Sequence, residues 1–336
     1  MDLEKYIFGI SEIPRNKRNE VLLNQKNTNK PFKSFGKLEE VGYKLTEIIG
    51  IGKKEIQSVI IVFAGDHGIA ELDLSVFPKD HTKKVVNLLH THKLPINKIA
   101  DTYNIPLHCY DIGIDGKVEY NDVVHDLKIS NGTKNMLHID AIEKENVSLA
   151  IKRGIDVAKK CFEDGVRIAA LGEVGICNTI STSVLTAILC GLNEEDVTDR
   201  GTGVMGLKLQ QKQEYIKRMI VNNRQHSLDI FGLLGKVAGY EICGDIGFIL
   251  GCSYYRIPVV IDGYITGVAA LAAYRLQPNV KNYIYASHLS AEKGHKHIMK
   301  EIGIEPIIDF GMKYGLATGA AIALPIYKMA YKLVNE

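Results

Sequence analysis

Four short runs of β-branched and aliphatic residues in this chain each break off into a turn of glycine and polar residues. Ser58-Val-Ile-Ile-Val-Phe-Ala64 enters Gly65-Asp-His-Gly68, and Val166-Arg-Ile-Ala-Ala-Leu171 enters Gly172-Glu-Val-Gly175. Pro258-Val-Val-Ile261 enters Asp262-Gly263, and Asn282-Tyr-Ile-Tyr285 enters Ala286-Ser-His288; Leu107-His-Cys-Tyr-Asp-Ile112 reads as a fifth strand. The runs do not alternate apolar with polar residues, which predicts strands buried on both faces. Helical patterns lie between and after them, over 146–164, 178–192, 209–222, 247–255, 264–276, 291–302 and 318–333. Strand, turn and helix in repetition predict an α/β fold, a mostly parallel sheet with helices on both faces. Ligands of such sheets bind outside the carboxyl ends of the strands, so function belongs in the polar turns.

The chain of 336 residues is long enough for one large domain and a smaller lobe. Segment 16–29 is polar and rich in Lys, Arg and Asn, while 35–49 has the pattern of an amphipathic helix. Residues 1–55 and 318–336 are therefore expected to form a small lobe, with 56–317 as the large domain. A net charge of +2 is too small to make nucleic acid or an anionic membrane the main partner. The six cysteines include no Cys-x-x-Cys pair and sit in apolar surroundings, as reduced buried thiols do. Met1-Asp-Leu-Glu-Lys lacks the basic-then-apolar layout of a signal peptide, and apolar stretches such as 246–255 fall short of a bilayer span. A cytoplasmic chain is expected.

Gly201-Thr-Gly203 precedes a helix carrying Lys208 and Lys212. Glycines let backbone N–H groups face an anion, a helix N-terminus adds favourable potential, and Lys212 would bring a point charge to a phosphate. A plain turn accounts for the glycines equally well. In Gly172-Glu-Val-Gly-Ile-Cys-Asn-Thr179, Asn178 or Thr179 suits the cap of the following helix, and Glu173 is placed for a polar contact with a ring or ribose. Ser290 suits a further cap, and His288 reads as a packed, hydrogen-bonded residue. Gly65-Asp-His-Gly68 lacks a third ligand at zinc spacing, so neither metal nor cofactor is expected. His81, His90 and His92 lie among lysines, as on a solvated basic face.

Taken in order, the turns resemble those of the nicotinate mononucleotide:5,6-dimethylbenzimidazole phosphoribosyltransferase family. The matching segments are Lys33-Ser-Phe-Gly-Lys-Leu-Glu39, Ala64-Gly-Asp-His-Gly68, Asp111-Ile-Gly-Ile-Asp115 and the 172–179 turn. Arg200-Gly-Thr-Gly203, Val237-Ala-Gly-Tyr-Glu241, the 258–263 and 287–294 segments and Gly315 to Pro325 continue the match. The resemblance implies a Rossmann-like large domain, a small lobe built from both chain ends, a dimer and a nicotinate mononucleotide site. It places Glu173 and Gly175 near nicotinate and ribose, and Gly201, Thr202, Gly203 and Lys212 near the phosphate. Ser290 and Gly315 fall in the same cleft.

The departures from the family pattern concern the acceptor side. Leu316 occupies the position of the family's catalytic glutamate, Phe77 that of a serine, and the pair Val85 and Val86 that of a glutamine; Asp245 stands where the family has a methionine. The pattern is similar to one subunit of the heterodimeric branch that transfers phosphoribose to phenol or p-cresol, the subunit lacking the glutamate. The resemblance thus implies a homologous partner, else a homodimer, and an aromatic acceptor, whether phenol, p-cresol or a benzimidazole. Two alternatives stand beside it: a self-sufficient transferase using another base such as Glu173, and a non-catalytic nucleotide-binding scaffold.

Overall fold

The computed structural model describes residues 3–13, 34–201 and 203–335. Lys33, Thr202 and the polar segment 16–29 lie outside the described residues. Six parallel strands form one sheet: β1 (Ser58–Gly65), β2 (Leu107–Gly113), β3 (Val124–Asp126), β4 (Ile168–Val174), β5 (Val259–Ile261) and β6 (Ile284–Ala286). Their order is β3-β2-β1-β4-β5-β6. The predicted α/β fold is observed, and the order reverses between β1 and β4, which opens a crevice at the carboxyl ends of those two strands. β1 is sealed on both faces, Val59 to Ala64 being buried throughout.

Several boundaries differ from those read in the sequence, for physical reasons. β4 runs three residues beyond Leu171 because its pairing with β1 continues to Ala64 and Val174, so Gly172 and Glu173 lie within the strand. The helix read over 247–255 is Tyr240–Tyr254. Its first turns are buried on every side and show no amphipathic stripe. The helix read over 291–302 is His295–Ile302, and β3 is a three-residue strand in a polar segment. Helices His81–Leu89, Pro95–Tyr103 and Ile230–Val237 were not read at all. No helix among the described residues is long and apolar enough to cross a membrane.

The N-terminal helix Lys37–Ile49 packs against the C-terminal helix Thr318–Asn335. The Tyr331 hydroxyl donates to the carbonyl of Gly50 at 2.6 Å, and the Asn335 amide donates to the Thr46 hydroxyl at 2.6 Å. The same C-terminal helix also packs on β4 and β5, so its apolar face is continuous with the core of the sheet.

Helix Tyr240–Tyr254 crosses helix Lys144–Glu163 at backbone contact. A Cβ on Gly247 would lie 1.9 Å from the carbonyl oxygen of Ile151, far inside van der Waals contact. Backbone cannot yield as a flexible side chain does, so Gly247→Ala must push the two helices apart. The expected cost is about 1–3 kcal/mol or more, the range for overpacking a close-packed core. An unchanged denaturant midpoint would refute the backbone contact.

Candidate functional site

The carboxyl ends of β1 and β4 bring together most of the predicted turns. Glu173, the penultimate residue of β4, is buried, and the Asn178 side-chain amide donates to its carboxylate. Asn178 is therefore not the predicted cap. The residue before helix Asn178–Cys190 is Cys177, in the left-handed region at φ 69°, and it supplies no side-chain cap bond. Thr179 does not cap either, because its hydroxyl faces the ammonium of Lys212 at 3.4 Å. Both residues point into the crevice.

The C-terminal turn closes over β4. The Leu316 N–H donates to the carbonyl of Glu173 at 3.2 Å. A Cβ on Gly172 would lie 2.1 Å from the backbone nitrogen of Ala317, so this glycine lets the turn rest directly on the strand. Leu316 and Ala317 sit in the left-handed region at φ 56° and 59°, a conformation that costs roughly 1–2 kcal/mol per L-residue. Leu316 is buried, and at Gly315 a Cβ would lie 3.5 Å from the Glu173 carboxylate. Glu173, Gly315 and Leu316 thus form one corner of the site.

A second corner surrounds Lys212, in helix Leu207–Asn223. This lysine is 2% exposed and donates to the carbonyl of Asp199 at 2.9 Å. Burial holds its pKa below the usual lysine value, offset by Glu292, Cys177 and Asp199. Lys212, Gly201, Gly175, Thr179 and Phe77 line one cavity of about 60 Å³. Gly203 lies on the exposed outer side of the loop, away from that cavity. Phe77 stacks on His81 with ring centroids 4.1 Å apart, so His81 packs against a ring rather than standing on a solvated basic face. Val86 is buried in the core and Val85 is half-buried beside it; neither lines the cavity.

Ser290 also differs from its expected role. Its hydroxyl accepts from the N–H of Glu292 at 3.4 Å, and its own N–H donates to Nδ1 of His295 at 2.9 Å. It organises a turn five residues before the helix starts. That turn presents Glu292, which sequence reasoning missed. Glu292 is buried, and its raised pKa is held down in part by Lys212. His288 is packed and hydrogen-bonded as expected, with Nδ1 3.0 Å from the Ser287 hydroxyl.

Beneath the crevice lies a group of buried carboxyls that sequence reasoning did not assemble. Glu241 pairs with Nε2 of His67 at 2.5 Å. Asp262 accepts from the N–H of Ala320 at 3.0 Å, at the positive end of the C-terminal helix. Asp245 is fully buried, and neither of its carboxylate oxygens has a hydrogen-bond partner. Desolvation raises the pKa of Glu173, Asp245 and Asp262, and the neighbouring carboxylates add to the shift at Glu173 and Asp245. An unpartnered buried carboxylate is costly, so Asp245 holds its proton. Burial disfavours the charged form of Glu173 as well, and the amide of Asn178 works against that shift.

A profile of the family described as phosphoribosyltransferase (DBI_PRT) matches residues 10–336. The chain is 38% identical over 311 residues to the nicotinate-nucleotide–dimethylbenzimidazole phosphoribosyltransferase of Geobacter metallireducens, covering 92% of this chain and 88% of that one. It is 34% identical over 335 residues to the enzyme of the same name from Halalkalibacterium halodurans, covering 99% and 94%. Among solved structures, CobT from Thermus thermophilus superposes with a TM-score of 0.90 at 27% identity, over 95% of this chain and 96% of that one. The chain belongs to the nicotinate-nucleotide–dimethylbenzimidazole phosphoribosyltransferase family.

Proposed function

We propose that this chain is a subunit of a nicotinate mononucleotide-dependent phosphoribosyltransferase that makes the α-ribotide of a cobamide lower ligand. An aromatic acceptor, whether phenol, p-cresol or a benzimidazole, attacks the anomeric carbon of the β-nucleotide. Nicotinate leaves, and the configuration inverts. A homologous subunit supplies the base in this reading, a homodimer being the alternative assembly. Segments 1–55 and 318–336 act as the small lobe beside the large domain 56–317, a division supported by the pairing of helices Lys37–Ile49 and Thr318–Asn335.

The observation that carries the proposal is the chemistry of the two corners. Lys212 and Gly201 suit the phosphate of the donor, with Gly175 and Glu173 toward its ring and ribose; Thr202 and Gly203 continue that loop. The turn closing over Glu173 offers the buried methyl groups of Leu316 where the family resemblance puts a carboxylate. A phenol, with a pKa of about 10 as for tyrosine, is almost wholly protonated at neutral pH. A positioned base typically contributes about 10²–10⁴-fold to such a step. Leu316, being apolar, does not supply it, and at Glu173 burial disfavours the charged form that would have to.

The need for a partner finds support at the mouth of the crevice. The cavity of about 60 Å³ is far smaller than the ~300–1,000 Å³ typical of small-molecule sites. The loops flanking it expose Met205, Leu207, Phe310 and Tyr314. Exposed apolar side chains around a functional opening suit a subunit contact that both covers them and extends the site.

Lys212→Ala is expected to weaken nicotinate mononucleotide binding by about 1.5–3 kcal/mol, as for loss of a hydrogen bond to a charged group. Calorimetry giving the same affinity for variant and parent would remove Lys212 from the phosphate site. The role of Leu316 separates a supporting subunit from a self-sufficient one. The isolated chain should transfer little phosphoribose to phenol or dimethylbenzimidazole. Paired with a homologue that keeps the glutamate, turnover should be insensitive to Leu316→Ala and abolished by changing the partner's glutamate. Robust turnover by the isolated chain, lost on Glu173→Gln, would instead establish Glu173 as the base of a self-sufficient transferase.

A further inference from the structure

A further cavity lies at the opposite end of the sheet from the crevice. It spans about 740 Å³ at the amino ends of β1 and β2, between helices Lys144–Glu163 and Thr318–Asn335. That volume falls within the ~300–1,000 Å³ typical of small-molecule sites and far exceeds what a lone inorganic ion needs. We propose that this cleft is a second binding site, for a nucleoside phosphate whose flat base lies against a wall of rings and whose phosphate meets a pair of lysines.

The wall is formed by three side chains on one face of the sheet. His108 of β2 and His125 of β3 share a hydrogen bond, Nδ1 to Nε2, at 3.0 Å. The Tyr110 ring stacks on His125 with centroids 5.0 Å apart and planes 29° from parallel. Burial lowers the pKa of both histidines, so the pair offers uncharged rings at neutral pH. Neutral flat rings of this kind bind a base by stacking without regard to its charge.

The lysines stand on the other wall. Lys328 and Lys332 are one turn apart on the C-terminal helix and line the same cleft, with Lys54 nearby. Lys328 is half-buried and donates to the Ser58 hydroxyl at 3.2 Å. Desolvation and the charge of Lys332 both lower its pKa, while Glu55 works against them. Residues four apart lie on one face of a helix, so both side chains can reach one phosphate in the cleft. Lys160 and Asp164, also in the lining, pair with each other at 2.8 Å and leave this field little changed.

The test is imidazole NMR on the full chain titrated with adenosine 5′-monophosphate, the signals assigned with His108→Gln and His125→Gln. The nucleotide should shift both resonances. Lys328→Gln with Lys332→Gln should weaken its binding about tenfold or more, as should the single exposed change Lys332→Gln to a smaller degree. Lys212→Ala, at the far end of the sheet, should leave this affinity alone. Adenosine and inorganic phosphate should each bind about tenfold or more weakly than the joined molecule. Unmoved histidine signals overturn the proposal. So does binding that depends on Lys212 and not on Lys332, or phosphate alone binding as well as the nucleotide.

Discussion

The backbone of the C-terminal turn rests on the backbone of β4 with no side chain between them. A Cβ on Gly172 would meet the nitrogen of Ala317 at 2.1 Å, so everything the turn carries is held at a fixed height above the switch between β1 and β4. The Leu316 N–H then reaches the carbonyl of Glu173, and Leu316 itself is pressed into the protein. Two successive residues at positive φ are the local cost of that fit, and packing of the following helix on β4 and β5 offsets it. Whatever side chain stands at position 316 is therefore delivered to the same place. The chemistry of the corner is decided by that one residue and by the protonation of Glu173.

Protonation there is controlled by depth. Glu173, Asp245 and Asp262 each hold a proton more tightly in the fold than in the unfolded chain, because burial disfavours their charged forms. Groups of this kind contribute stability below the ordinary carboxylate range, and that contribution is lost as the pH rises through their raised values. This is opposite in sign to the usual acid lability of salt-bridged carboxylates. The His67–Glu241 pair, buried in the same layer, shows the other solution, a carboxyl with one oxygen paired to a ring nitrogen at 2.5 Å. The layer beneath the crevice thus disfavours free carboxylates, and Lys212 with its neighbour Glu292 sets the charge at the second corner.

The sheet was legible because its strands are apolar on both faces and end in glycine and polar turns. Those turns are where the chain crosses from core to solvent. The short strand Val124–Asp126 was not legible, since three residues in a polar segment carry no periodicity. Helix Tyr240–Tyr254 was half missed for the reverse reason, being buried all round, with glycines where a stripe would show. Gly175, Gly201 and Lys212, singled out by the residue types their turns carry, line one cavity, with Glu173 at the end of the neighbouring strand. The roles of Asn178 and Thr179 were not legible, because a cap and a site contact demand the same short polar side chain. Glu292, Asp245 and the His67–Glu241 pair depend on contacts between residues distant in sequence, which spacing along the chain does not encode.

A parallel sheet has two chemically different ends, and this protein uses them differently. At the carboxyl end, helices begin, and their free N–H groups and positive dipoles already favour an anion. The buried Lys212 and the glycine loop stand at that end of the sheet. At the amino end, helices finish. Helix Lys144–Glu163 ends beside the cleft, where its dipole disfavours an anion, while Asp164 is paired with Lys160. Cationic side chains must overcome that field, which accounts for lysines on the C-terminal helix and in the segment before β1. The rings of His108, Tyr110 and His125 lie against the sheet itself, packed on one another. Because all six strands run parallel, an anion at the carboxyl edge draws on helix N-termini, while one at the amino edge must draw on side chains.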